Sequence, residues 1–195
     1  RRPFKENGRG MGMAEEGEDV QIPESPQLPQ GILEELTRRL SKEDAPFLRH
    51  LGKQLKLIWL DQNEKRLGIT RFEYNHHELF RRRRLRVSPG PITIGIHPRL
   101  HGDSRLYLHT LVHELLHAVG LIDHGGIHTK IVEEIAPAPK LSESPTLQKM
   151  REEILIELPE RSWICGECGH SWQRRRVSLP KRCPKCAKPF SHKAA

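Results

Sequence analysis

Residues 103–124 read DSRLYLHTLVHELLHAVGLIDH, and this stretch decides how the rest of the chain is to be understood. Leu108, Leu111, Val112, Leu115, Leu116 and Val119 recur at helical spacing, so a helix is expected over 105–120. Asp103 or Ser104 can cap its start, and Gly120 can end it. Inside it lies His113-Glu114-Leu115-Leu116-His117. Two histidines four apart share one helical face, so both imidazoles can converge on one Zn²⁺. Glu114, one residue after the first, can reach a water on that metal without itself being a ligand. That is the HExxH arrangement of a metallopeptidase, with Glu114 as the catalytic base. A helix this apolar is a poor place for two unpartnered imidazoles, which weighs against a purely structural role.

A third ligand has to come from nearby. Gly120 and Asp123 fit an HExxHxxGxxD pattern, His124 follows directly, and His128 lies four beyond that. Imidazole is the commoner ligand in such triads, so His124 is favoured, with Asp123 and His128 as alternatives. His109, four before His113, reads as a surface or supporting residue.

Upstream, two short helices are expected. Ile32, Leu33, Leu36 and Leu40 mark the first, and Phe47, Leu48, Leu51, Leu55 and Ile58 the second. Strand-like segments follow at 58–60, 67–74 and 92–96, the last preceded by Pro89-Gly90-Pro91. Residues 79–87, with Arg81 to Arg84 in a row and then Arg86, read as an exposed strand or a loop, either a solvated edge or an anion-binding patch. Downstream, a short helix at 128–135 stops at Pro137, residues 137–145 form a linker, and Ser144-Pro145 opens a helix ended by Pro159. The expected class is α+β.

All four cysteines lie in the last 37 residues, as Cys165-Gly-Glu-Cys168 and Cys183-Pro-Lys-Cys186. Two CxxC pairs separated by 14 residues have the spacing of a structural four-cysteine zinc ribbon, in which the intervening residues form a hairpin. Gly169 suits the positive φ needed after the first pair. In so small a module the metal is the main source of folding energy.

The 195 residues carry 33 Lys+Arg against 25 Asp+Glu, a formal net charge of +8. The excess is uneven: residues 1–30 are net −2, 31–158 net +3 and 159–195 net +7. A basic ribbon points to an anionic partner, nucleic acid first, with Arg174, Arg175, Arg176, Lys181, Arg182 and Lys185 as the contacting residues. Trp163 and Trp172 read either as stacking platforms for bases or as ribbon core. No apolar run is long enough for a transmembrane helix, and the N-terminal residues show no hydrophobic leader core, so no membrane partner is expected. Residues 1–30, rich in Gly, Pro, Glu and Gln, read as disordered.

Taken together, a helical and β region, then HELLHAVG, then His124-Gly125, then a four-cysteine ribbon with Trp163, Trp172 and Arg174–Arg176, resemble the SprT-like (Spartan-type) zinc metallopeptidases over residues 31–192. The resemblance implies a zincin-like domain at 31–136, a linker and helix at 137–158 and the ribbon at 159–195. It implies one catalytic zinc on His113, His117 and His124 and one structural zinc on Cys165, Cys168, Cys183 and Cys186. It further implies peptide-bond hydrolysis of protein substrates associated with DNA, in a cytoplasmic or nucleoid setting. The family often carries an aromatic residue four after the third histidine, where this chain has His128. Two rival functions stand beside this one: a non-catalytic nucleic-acid-binding ribbon protein, and a general cytoplasmic peptidase with no DNA role.

Overall fold

The computed structural model describes residues 22–159 and 161–191. Six helices and a small mixed sheet make up the larger part, and a two-stranded ribbon follows. The helices are α1 (Ile32–Arg39), α2 (Leu48–Gln54), α3 (His76–Leu85), α4 (Ser104–Ala118), α5 (Gly126–Ile135) and α6 (Pro145–Glu157). The strands β1 (Leu55–Trp59), β2 (Gly68–Phe72) and β3 (Ile92–Ile96) form the sheet, and β4 (Ser162–Ile164) and β5 (Ser171–Gln173) belong to the ribbon. The α+β class is as expected. No helix among the described residues is long and apolar enough to cross a membrane.

In the sheet, β3 is central, parallel to β1 (Leu55 opposite Ile92) and antiparallel to β2 (Gly68 opposite Ile96). Ile92, Ile94 and Ile96 are fully buried and meet Leu111, Val112, Leu115 and Leu116 of α4 in one core cluster. Burying each such side chain stabilises the fold by roughly 2 kcal/mol. Gly95, on the alternate face, leaves room for Leu60, whose Cδ2 would lie 2.3 Å from any Cβ placed there.

Helix α4 starts where Asp103 Oδ1 accepts from Leu106 N at 3.1 Å. The other Asp103 oxygen takes the hydroxyl of Ser144, which in turn caps α6 by accepting from Leu147 N at 3.1 Å. One buried Asp–Ser contact thus ties together the starts of two helices 41 residues apart.

Three local expectations need correction. The helix expected to run through Leu55 and Ile58 ends at Gln54, and these residues begin the sheet instead. Leu55 and Ile58 continue a helical series from Leu51, whereas Leu55, Leu57 and Trp59 alternate as one face of a strand, and pairing with β3 decides it. Residues 79–87, expected as strand or loop, belong largely to α3. Asn75 Oδ1 caps this helix by accepting from Glu78 N at 3.0 Å, and Glu78 pairs with Arg82 at 2.8 Å one turn on. Arginine is a good helix former, and only Leu79 of this helix is buried, which is why the apolar pattern missed it. Finally, residues 22–30 are not free chain. Trp59 Nε1 donates to the Pro23 carbonyl and Tyr107 Oη to that of Gln27, both at 2.7 Å, and Leu28 packs on the core. Residues 1–21 of the expected disordered segment lie outside the described residues.

Candidate functional site

Helix α4 carries His113, Glu114 and His117, and its exit positions the next histidine. Gly120, at φ 108°, takes a left-handed conformation, with its N–H on the His117 carbonyl and the Leu121 N–H on that of Leu116. This is the Schellman closure of a helix. A side chain at 120 would also crowd Pro46 and Phe47 at 3.1–3.3 Å. The reversal lays residues 121–124 back along the helix end. Leu121 then offers its carbonyl to His117 Nδ1 at 2.9 Å. A ring nitrogen facing a carbonyl must carry the proton, so His117 Nε2 is a bare lone pair.

That lone pair meets two others. His117 Nε2 lies 3.2 Å from His113 Nε2 and 3.2 Å from His124 Nε2, and the latter two are 3.1 Å apart. A tetrahedral metal with Zn–N bonds of about 2.0–2.1 Å requires nitrogen separations of about 3.3–3.4 Å. Three acceptor nitrogens that close repel one another unless a cation lies between them. The donor set therefore fits a metal, and it is a facial triad with one side free. Of the candidates for the third position, His124 is brought to the pair. Asp123 is exposed and stands outside the group.

His128 stands close by in a different way. Each of the four histidines offers a ring nitrogen within 4.8 Å of the others, and the His128 ring lies 4.7, 4.9 and 5.0 Å from those of His113, His117 and His124. It is buried, and its Nε2 is enclosed without a hydrogen-bond partner. A four-His group could hold a metal ion, but the tight triangle is made by His113, His117 and His124. His109 is occupied elsewhere, with Nδ1 on the Ala136 carbonyl at 2.8 Å.

Glu114 points to the same cleft, which is about 370 Å³ and also bounded by β2 and by His76 and Leu79 of α3. Its carboxylate is buried, and Oε2 accepts from Thr70 Oγ1 at 2.7 Å. Burial holds its carboxyl above the usual range, with the Thr70 bond pulling the other way. The strand comes this close because residue 68 is glycine. A Cβ there would lie 2.7–2.8 Å from Thr110 and Glu114. Sequence reasoning gives neither Thr70 nor Gly68 a place in the site. Their partner is more than 40 residues away in the chain and no local pattern marks them.

Burial also pushes the imidazoles down. His113 falls to about 4 through desolvation and then the neighbouring His117, His128 and His124. His128 falls to about 4 through desolvation and then His117 and His124. The sign for the metal-stripped protein follows. Above pH 6.5 these rings are neutral folded or unfolded. Below it the unfolded chain takes up protons that the folded chain refuses until about pH 4. Folding stability contributed here is thus present above 6.5 and lost as pH falls toward 4. Thermal melts of metal-free protein from pH 7.5 to 4.5 should show this loss, and His128→Phe should reduce it. Identical pH dependence in parent and variant would refute the assignment.

The second candidate site is the ribbon. Its two CxxC turns are built alike. Cys165 N donates to His170 O and Gly169 N to Cys165 O, and Cys183 N donates to Lys188 O and Ala187 N to Cys183 O. Gly169 and Ala187 hold the matching positive φ, 68° and 56°. Each turn is closed by its own short pairing, β4–β5 around the first and the Arg182–Pro189 bridge around the second. The expected hairpin between the pairs is therefore replaced by one around each, because the knuckle itself is the turn. The sulfurs of Cys165 and Cys186 are 3.9 Å apart and those of Cys168 and Cys183 3.7 Å. A tetrahedron of Zn–S bonds near 2.3 Å has an edge of about 3.8 Å. Burial opposes ionisation of Cys183, yet the Cys186 and Lys185 N–H groups bring its thiol down to about 7. Cys186 is pushed up to about 11: the Lys188 N–H favours its thiolate, but burial and the neighbouring Cys168, Cys183 and Cys165 thiols outweigh it. Four thiolates this close need a cation.

Trp163 is buried against Phe190, with the Arg174 guanidinium 4.3 Å over its ring, so it is ribbon core and not a free stacking platform. Arg174 also donates to the Arg176 and Val177 carbonyls. Trp172 is half-buried, stacked on His170 and edge-on to Phe190. Arg175, Arg176, Lys181, Arg182 and Lys185 are exposed. Comparison with family models, with curated proteins and with solved structures finds no match for this chain.

Proposed function

We propose that this chain is a zinc-dependent metallopeptidase of the SprT-like, zincin type, acting on proteins associated with nucleic acid. The observation that carries the reading is the triangle of His113, His117 and His124 Nε2 atoms, with edges of 3.1–3.2 Å, opening on the cleft that also holds Glu114. A catalytic zinc site keeps three protein ligands and one free position, whereas four ligands close it. Only His113, His117 and His124 bring their Nε2 atoms to 3.1–3.2 Å of one another, and His128 stands outside that triangle.

His113, His117 and His124 would hold a Zn²⁺, which would supply a Lewis acid for the scissile carbonyl and a bound water of lowered pKa. Glu114 takes the water proton at its carboxylate and delivers it to the leaving amine. Thr70 fixes the carboxylate, and the Leu121 carbonyl fixes the ring of His117. The Cys165, Cys168, Cys183 and Cys186 group would hold a second, closed zinc, and the exposed basic residues of the ribbon supply the nucleic-acid contact.

The test is metal content together with proteolysis. Two zinc ions per chain are expected, with casein hydrolysis lost to phenanthroline, restored by Zn²⁺ and raised by added DNA. One zinc and no hydrolysis would leave only a nucleic-acid-binding ribbon. Hydrolysis indifferent to DNA would leave a general peptidase.

A further inference from the structure

A depression larger than the histidine cleft lies along helix α3. It has a volume of about 610 Å³ and is lined by Arg81, Arg83, Arg84 and Arg86 with His77, Phe80 and Glu43. Five arginines occupy positions 81–86, and they divide into two kinds. Arg82 is structural: it pairs with Glu78 at 2.8 Å, lies 3.8 Å over the Tyr74 ring and donates to the Ser88 carbonyl. Arg81 and Arg86 each share a carboxylate at a loose 3.3 Å, with Glu78 and Glu43. Arg83 and Arg84 have no ion pair among the described residues. Like charges crowded on one helix cost stability.

Beside them Phe80 is 45% exposed, its ring edge-on to His76 at 4.5 Å. Helix α3 thus offers guanidinium forks together with an open aromatic face. Forks match phosphate oxygens in pairs, and an exposed ring takes an unstacked base. His76, in contact with Phe80, and Leu79 also wall the histidine cleft, so this face of the helix adjoins it.

We propose that the outer face of α3 binds a single nucleic-acid strand, with Arg83 and Arg84 on its phosphates and Phe80 against a base. This extends the nucleic-acid part of the function above to a second surface. It places a strand, and any protein attached to it, next to the histidine cleft. Neither the ribbon contact nor the peptidase chemistry is needed for the binding itself.

The experiment measures anisotropy of a labelled oligothymidylate of about 16 nucleotides. The full chain carries Glu114→Gln so that it does not digest itself. Arg83→Gln/Arg84→Gln should weaken binding about tenfold at low salt and flatten the log–log salt slope by about 1.4, roughly 0.7 for each phosphate no longer neutralised. Phe80→Ala should weaken binding several-fold with the slope unchanged. Arg38→Gln, an exposed arginine of α1, is the control for loss of a surface charge elsewhere and should change neither. Affinity and slope within twofold of the parent in the double variant would overturn the proposal, even if Arg175→Gln/Arg176→Gln in the ribbon weakens binding. Displacement by polyglutamate as readily as by unlabelled oligothymidylate would also overturn it, in favour of an acidic polypeptide. Absence of proteolysis in the parent chain bears on the peptidase reading alone.

Discussion

Glu114→Gln should lower the rate of peptide hydrolysis by about 10³-fold, within the 10²–10⁴ that general acid–base catalysis supplies. It should do so without loss of zinc. The amide has nearly the shape of the carboxylate and still accepts the Thr70 hydroxyl, which lies 2.7 Å from Oε2. It cannot take a proton at neutral pH. The three imidazole nitrogens are untouched, since Glu114 is outside their triangle. The separation between effects on rate and on metal content is the informative part. His113→Ala, by contrast, should lose both. If casein or self-cleavage persists in Glu114→Gln at the parental rate, the base is another residue and the catalytic assignment fails.

The second large effect concerns the ribbon. Cys165→Ser should unfold residues 161–191 while leaving the α4 core intact. Among the described residues of this module only Trp163, Cys165 and Cys183 are buried, too little apolar surface to support a fold. Metal affinity here is folding free energy, on the order of 10–16 kcal/mol in comparable zinc modules. Removing one of four ligands removes much of it, and a serine hydroxyl is a poor replacement for a thiolate. Hydrogen exchange should show protection lost over 162–173 and 183–190 and kept over 92–96 and 106–118. Zinc content should fall by one per chain. Retained protection in the ribbon would mean that packing alone holds it.

The region around α4 was legible because its signals are local. Asp103 caps, Gly120 terminates and the histidine spacing lies within one turn, so neighbouring residues state the geometry. His124 was legible by ligand chemistry, and the turn at Gly120 supplies the reason it reaches the pair. The CxxC spacing similarly implied the thiolate cluster. Other features depend on partners far away in sequence. Thr70 acquires its role only when β2 crosses Glu114. Leu55 belongs both to a helical series with Leu51 and Ile58 and to a strand series with Leu57 and Trp59 until β3 pairs with it. Helix α3 hid because its stability comes from an Asn75 cap and a Glu78–Arg82 pair in place of an apolar stripe. Trp163 is enclosed by Phe190 and Arg174 from across the ribbon, contacts that composition does not reveal.

One feature of the sheet bears on what the cleft would accept. Strand β2 has β3 on one side and no strand on the other among the described residues, and it borders the histidine cleft. Its outer row of amide and carbonyl groups is a template for an added extended chain. A polypeptide seated there is gripped through its main chain, which is the same whatever its side chains. Selection by such a groove falls on whether a segment can be drawn out into a strand. The peptidase proposed above would then cut loosened or partly unfolded protein in preference to compact protein, with little regard to residue type at the scissile bond.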